Sequence, residues 1–385
     1  MSPRNPPPAW RAAWSDRWLA LRDRLLASPT FQRRAAAFAP TRPIARQRAG
    51  ALFDLVAGFV YSQVLLACVQ LRLFDMLSQG PLALNELATR MALPVASADR
   101  LLAAAVALRL VEVRSGERFG LGELGAPMVG NTAVAAMVAH HGALYADLAD
   151  PVALLRGEAR SAALAKFWPY AGASQPDGLR GDSVAGYSAL MAASQPLVCE
   201  EILDAYPLHK HHCLLDVGGG EGGFLISAAS RVPSLRLMLF DLPAVVERAR
   251  LRCAAAGIGE ERLRLEGGSF LTDALPRGAD IASLVRVIHD HDDASALCIL
   301  RAVRQALPPG GTLLLAEPMA VTPGAEAMGD AYFGFYLLAM GKGKPRSAAG
   351  LQALLQMAGF EAVREVRTRM PLQVGLLVAR TTLAP

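Results

Sequence analysis

The 385-residue chain is poor in aromatic side chains, which make up 6% of it, although 53% of its residues are hydrophobic. Any core must therefore be built from Ala, Leu and Val rather than from rings. No CxxC pair is present. The five cysteines, Cys68, Cys199, Cys213, Cys253 and Cys298, are scattered and odd in number, which argues against a disulfide scaffold and reads as reduced thiols in a cytoplasmic setting. No apolar run free of charged and polar breaks reaches the ~20 residues that span a bilayer, and the polar, Pro-rich start does not read as a secretory signal. Acids are nearly absent from the first fifty positions, where ten arginines face only Asp16 and Asp23, a net +8. The whole chain is +5, so the other 335 residues carry −3. A basic arm on a mildly acidic body fits an anionic partner surface, either membrane headgroups or nucleic acid, with a solvated extension as the plain alternative.

What is present divides the chain into an arm over 1–45, a winged-helix-like dimerisation domain over 46–130, a helical connector over 131–185 and an α/β domain over 186–385. Ala51 to Leu77 carries apolar residues at three and four spacings on a broad face, which predicts a helix buried on most sides, in part against a second subunit. Two short helices follow, with Asn85 and Ser97 as expected N-caps. Leu110–Arg114 and Arg118–Leu121 then read as a hairpin wing. The second helix, SADRLLAAAVALRL, offers few side chains that could read bases, so the module is expected to dimerise rather than bind nucleic acid. Beyond residue 212, strand and helix patterns alternate in the rhythm of a doubly wound, mostly parallel sheet.

The segment Leu214-Leu215-Asp216-Val217-Gly218-Gly219-Gly220-Glu221-Gly222-Gly223 is a strand running through a glycine turn into a helix. Glycines let a ligand approach the backbone without Cβ atoms in the way. Gly218-x-Gly220-x-x-Gly223 also fits a dinucleotide fingerprint. Asp216 tips the balance, because a carboxylate at that strand end suits an ammonium group and would repel a pyrophosphate. Asp241, with Leu242 beside it, ends the second strand 25 residues later, where an acid accepts hydrogen bonds from ribose hydroxyls. Gly268, Ser269 and Phe270 end the third strand, by the expected adenine edge. The fourth strand ends in Arg286-Val287-Ile288-His289-Asp290-His291-Asp292-Asp293. His289 is the candidate general base, since neutral imidazole titrates in the useful range, and Asp290 beside it joins the catalytic candidates. The HDHDD cluster also admits a metal site, and His289 could be merely structural. With no third ligand-rich segment nearby, and a helix expected to start on an Asp292 or Asp293 cap, no metal is expected.

LLDVGGGEGGF, FDLP, GGSF, LVRVIHDHDD, LLLAEPM and the closing AGF, in that order over 186–385, resemble the plant-type O-methyltransferase family, and the region 50–125 resembles its dimerisation domain. The resemblance implies a Rossmann-like domain that binds S-adenosylmethionine. Gly218 to Gly220 would hold its methionine part, Asp241 the ribose, and Gly268, Ser269, Phe270 and Arg286 the adenine side. It implies His289 as base, Glu317 as the group that holds the His289 ring, and Tyr187 and Met191 as pocket residues. Two departures stand out: Ser269 replaces an acid common in the family, and Pro345 replaces a second glutamate, leaving Glu317 alone to orient His289. FVYSQVLLACVQLRLFDML, MAASQPLVCEEILDAY and FYLLAMGKGKPRS are most like the branch of the family that methylates the tertiary C-1 hydroxyl of acyclic carotenoids. A long apolar acceptor of that kind would need an apolar groove, for which the helix carrying Tyr336 and Met340 is a candidate, core packing being the alternative. Another pigment, quinone or phenol, methylated on oxygen or carbon, is the alternative acceptor, and a winged-helix regulator a distant one. A homodimer is expected, cytoplasmic, with peripheral contact through the arm at an inner or photosynthetic membrane.

Overall fold

The computed structural model describes residues 9–158, 163–167 and 195–383. It divides into two compact units, Met1–Val129 and Gly130–Pro385. In the first, the arm is helical: α1 spans Ala9–Ala27, α2 Pro29–Ala37 and α3 Arg42–Gln70. Ser28 caps α2 by accepting the Phe31 N–H, and Pro sits in the first turns of α2 and α3, where a missing N–H costs nothing. The long helix thus begins nine residues before Ala51 and does not run on to Leu77. It stops at Leu71, because Arg72 adopts left-handed φ (55°), and α4 (Leu73–Leu77) restarts in a new direction.

The three-stranded sheet β1 (Leu82–Ala83), β3 (Arg118–Leu121), β2 (Val111–Arg114) and the helices α5 (Leu84–Arg90) and α6 (Val95–Ala107) form the expected helix–helix–wing. The caps differ from expectation. α5 starts at Leu84 on an Ala83 cap and α6 starts at Val95 on a Pro94 cap, so Asn85 and Ser97 lie inside the first turns. Both cap residues are extended, and that backbone conformation sets the start without a side-chain acceptor. Leu73, Phe74, Leu77, Leu87, Leu102 and Leu110 make the core of this unit.

In the second unit, α7 (Thr132–Asp147), α8 (Pro151–Leu155), α9 (Ala163–Phe167) and α10 (195–205) precede the α/β layer. The seven-stranded sheet has the order β11-β12-β8-β7-β4-β5-β6, from β4 (Cys213–Val217), β5 (Arg236–Asp241), β6 (Leu263–Gly267), β7 (Ile281–Val285), β8 (Thr312–Glu317), β11 (Phe360–Val366) and β12 (Gly375–Thr381). A short pair, β9 (Met319–Ala320) and β10 (Arg346–Ser347), lies apart from it. β4 to β8 are parallel; β12 runs antiparallel to both neighbours. Every residue of β4, β7 and β8 is buried, as befits central strands covered on both faces. Alternate residues go to opposite cores: Cys213, Leu215 and Val217 to one, Leu214 to the other. The helices α11 (Gly223–Arg231), α12 (Pro243–Ala255), α13 (Asp293–Ala306), α14 (Phe333–Met340) and α15 (Ala348–Met357) complete the unit. Strand order reverses between β4 and β7, so their carboxyl ends open the crevice where a ligand sits in such sheets.

α3 is, by length and composition alone, long and apolar enough to cross a membrane, although Asp54 and Arg72 bracket its uncharged stretch. Little of it is covered by this chain; Leu55 is 82% and Phe59 68% exposed, with Leu52, Phe53 and Val56 beside them. A contiguous apolar face of this kind marks an interaction surface. We expect it to be closed by a second copy. Sedimentation at micromolar concentration should give a dimer, and Leu55→Glu with Phe59→Glu a monomer; a wild-type chain that sediments only as monomer contradicts this.

Candidate active site

The glycine turn after β4 is shaped by the groups beneath it. Gly218 (φ 69°) and Gly220 (φ 59°) hold left-handed backbone. A Cβ on Gly218 would meet Val287 Cγ2 at 2.8 Å, and one on Gly219 would collide with the Asp216 carboxylate. At Gly220 nothing lies within 4 Å of that position, so the turn is packed below and open above. Asp216 is fully buried: Oδ1 accepts from Ser283 Oγ at 2.6 Å, while Oδ2 has no hydrogen-bond partner among the described residues. Burial pushes its carboxyl up to about 7, against the Ser283 hydrogen bond and with help from the nearby Asp241 charge. A buried carboxylate oxygen without a donor is costly, and an amino-acid ammonium at the turn would satisfy it. Asp241 accepts from Gly220 N (2.8 Å) and Leu242 N (2.7 Å), tying the end of β5 to the turn; burial raises it to about 6, the two backbone N–H groups opposing. A carboxylate can accept about four hydrogen bonds, which leaves capacity for ribose hydroxyls.

At the end of β6, Phe270 packs close to Gly218 and lies edge-on to His291 at 5.4 Å. The buried Ser269 donates its N–H to Asp273 Oδ2 (2.8 Å), and a Cβ on Gly268 would meet that same oxygen at 2.9 Å. An acid is therefore present at this corner after all, contributed from four residues downstream. Arg286 has φ 59°, uncommon for a long side chain and frequent near functional sites; its N–H donates to Ala316 O at 2.8 Å, and its charge acts on both His289 and Tyr332.

Glu317, the last residue of β8, organises the next loop. Its Oε1 accepts from Val287 N (3.1 Å) and Ile288 N (2.6 Å), and its Oε2 lies 2.5 Å from His289 Nδ1. A carboxylate oxygen only accepts, so Nδ1 carries a proton in this contact, and Nε2 is the nitrogen that can lose one. Asp290 Oδ1 stands 3.1 Å from Nε2. A second carboxylate thus faces the imidazole despite Pro345, and Glu317 is not alone. Burial alone would lower the His289 pKa; the charges of Asp290 and Glu317 and the Glu317 hydrogen bond outweigh it, and the net shift is upward. Asp292 caps α13 by accepting the Ser295 N–H at 2.8 Å, as expected. Among the described residues no three His, Cys, Asp or Glu side chains gather as metal ligands.

Four groups that hold this loop carry no sequence signal of their role. Buried Arg346 donates to Ile288 O (2.9 Å), His291 O (2.7 Å) and Asp293 Oδ1 (2.9 Å). Gly343 lies so close to the His289 carbonyl that a Cβ would collide with it, and Lys344 N–H donates to that carbonyl at 3.0 Å. Phe333 sits edge-on to His289 with centroids 6.0 Å apart. Tyr336 and Met340, candidates for the acceptor pocket, are buried in a cluster with Leu144, Leu154 and Leu164. Tyr336 OH lies 2.8 Å from His140 Nε2, and Tyr332 OH 2.9 Å from His141 Nε2. Burial, with the neighbouring His141 charge, lowers His140 to about 4, so that ring stays neutral. Tyr187 and Met191 lie outside the described residues.

Comparison with known proteins bears on the family and the fold. The O-methyltransferase domain family model matches residues 145–361, and the O-methyltransferase dimerisation domain model matches 53–140. The chain is 42% identical over 345 residues to demethylspheroidene O-methyltransferase of Cereibacter sphaeroides, covering 89% of each, and 32% identical over 333 residues to acetylserotonin O-methyltransferase of Mus musculus, covering 83% of this chain and 86% of that one. The crystal structure of human N-acetylserotonin methyltransferase in complex with S-adenosylmethionine matches with a TM-score of 0.71 over 87% of this chain and 98% of that one; at 24% identity it speaks for the fold.

The orphaned Asp216 oxygen generates a pH prediction. A cationic ligand binds the ionised carboxylate, so S-adenosylmethionine affinity should fall as pH drops through about 7, by up to about tenfold per unit. Asp216→Asn should bind more weakly and lose the dependence in that range. Calorimetry between pH 5.5 and 8.5 checks both; pH-independent wild-type binding, or NAD binding at comparable affinity, contradicts the assignment.

Proposed function

Given that the chain belongs to the O-methyltransferase family, we propose that it methylates the tertiary C-1 hydroxyl of an acyclic carotenoid, with His289 as general base. The enzyme is an S-adenosylmethionine-dependent O-methyltransferase. The observation that carries the acceptor class is the 42% identity, over 89% of both chains, to demethylspheroidene O-methyltransferase. The 32% identity to acetylserotonin O-methyltransferase, together with the Tyr332–His141 and Tyr336–His140 pairs near the site, favours a phenolic acceptor as the second candidate.

When bound, S-adenosylmethionine supplies an electrophilic methyl group for in-line displacement by the acceptor oxygen. Gly218 to Gly220 and Asp216 would hold its amino-acid end, Asp241 and Leu242 its ribose, and the Gly268–Phe270 corner with Arg286 the adenine side. His289 Nε2 takes the acceptor hydroxyl proton. Glu317 is the positioning residue: it keeps Nδ1 protonated and fixes the ring plane. Asp290 beside Nε2 stabilises the imidazolium that forms. A tertiary alcohol is too weak an acid for imidazole to deprotonate it beforehand, so proton removal accompanies displacement.

Three outcomes follow. Labelled S-adenosylmethionine should transfer its methyl to a hydroxylated acyclic carotenoid in detergent micelles; label carried only into phenols or hydroxyindoles contradicts the acceptor assignment. His289→Ala should lower turnover roughly 10²–10⁴-fold without loss of cofactor binding. The upward shift of His289 also fixes the sign of the pH profile. The base form grows as pH rises through that raised pKa, so kcat/KM should climb into the range above 6.5. Asp290→Asn removes one raising charge and should move the climb to lower pH; an unmoved profile shows that Asp290 does not act on the base.

A further inference from the structure

We propose that α1 is a membrane-surface helix that lies flat on an anionic bilayer. Residues 1–52 precede both matched family models, the earlier of which begins at residue 53 and the later at 145, so neither the dimerisation nor the methyltransferase model accounts for them. Within α1, Trp14, Trp18, Leu21 and Leu25 recur at spacings of four, three and four, which places them on one helical face. That face is open: Trp14 is 68% and Trp18 65% exposed. At 100° per residue, Arg17 and Arg24 flank the stripe on one side and Arg22 on the other, while Asp16 and Asp23 fall on the opposite face. Arg22 is paired with Asp23 at 2.7 Å, an exposed contact that a phosphate can compete with.

An apolar stripe bordered by arginines has a specific use. The Trp rings and Leu side chains can enter the headgroup–acyl boundary while the guanidinium groups reach the phosphates at the same level. Three of the four tryptophans in the chain, Trp10, Trp14 and Trp18, belong to this helix, and Trp favours that boundary. A second copy is the weaker occupant, because two arms of net +8 each would repel. Nucleic acid would meet the Trp–Leu stripe before the arginines that border it. The surface serves any apolar acceptor held in lipid and does not depend on which acceptor is methylated.

The test is flotation of the full chain with vesicles of phosphatidylglycerol and phosphatidylcholine, against phosphatidylcholine alone. The chain should float with the anionic vesicles, with its tryptophan emission shifted to the blue, and not with the neutral ones. Trp14→Ala with Trp18→Ala should cut the partition coefficient at least tenfold. Arg17→Gln with Arg22→Gln and Arg24→Gln should cut it about a hundredfold. Calorimetric S-adenosylmethionine affinity should stay at the wild-type value in both variants, which shows that they fold and separates this result from the acceptor assignment. No flotation at low salt, or equal flotation with neutral vesicles, overturns the proposal. So does a Trp variant that floats normally but sediments as monomer, since the stripe would then be a subunit contact. A chain that shifts duplex DNA at physiological salt through these arginines without floating overturns it as well.

Discussion

Glu317 gives one carboxylate oxygen to the N–H groups of Val287 and Ile288 and the other to the His289 ring. This is the contact on which the catalytic end of the sheet depends. β7 and β8 pair in parallel up to Val285 and Ala316, and just beyond that pair the chain leaves the sheet and the ladder can no longer hold it. Glu317 replaces the lost ladder with its own side chain. The acid is buried, so it must be compensated, and the three donors that compensate it are the groups the loop needs fixed. One buried side chain therefore sets the loop backbone and the Nδ1 side of the imidazole together.

The cofactor side follows a similar logic with an opposite balance. Asp216 is as deeply buried as Glu317, but among the described residues only one of its oxygens has a donor. Burial accordingly drives its carboxyl upward, while Glu317 has three partners. A satisfied acid at the end of β8, which orients a side chain, thus stands against one at the end of β4 that could take a cationic ligand. Strand order reverses between these two regions, which is why they meet at one crevice.

The parts of this site legible in the sequence are those whose chemistry lies within one segment. The glycine turn, Asp241 and the His289 loop each announce themselves through residues a few positions apart, and the strand–helix rhythm puts them on one sheet edge. Glu317 was legible only through family resemblance, because its partners lie about thirty residues away. Arg346, Gly343 and Phe333 act through backbone carbonyls or ring faces, and no local pattern shows which carbonyl an arginine will reach. Asp273 reaches the Ser269 N–H through a turn that folds back four residues, and Asp290 stands beside the His289 ring, neither of which the spacing of the family motifs shows. The first unit shows the same limit on a smaller scale: helix α3 was visible from its apolar spacing, but its start at Arg42 and its break at Arg72 depend on a turn and a positive φ that composition does not encode.

The central claim, that Glu317 sets the tautomer and basicity of His289, is tested most directly by nitrogen-15 magnetic resonance of the imidazole in the resting enzyme. The predicted result is a ring that titrates above the ordinary value of 6.5 and keeps its proton on Nδ1 when it becomes neutral, with Glu317→Gln lowering that titration and broadening or mixing the tautomers. A ring protonated on Nε2, or a titration at or below 6.5 that Glu317→Gln leaves unmoved, would contradict it.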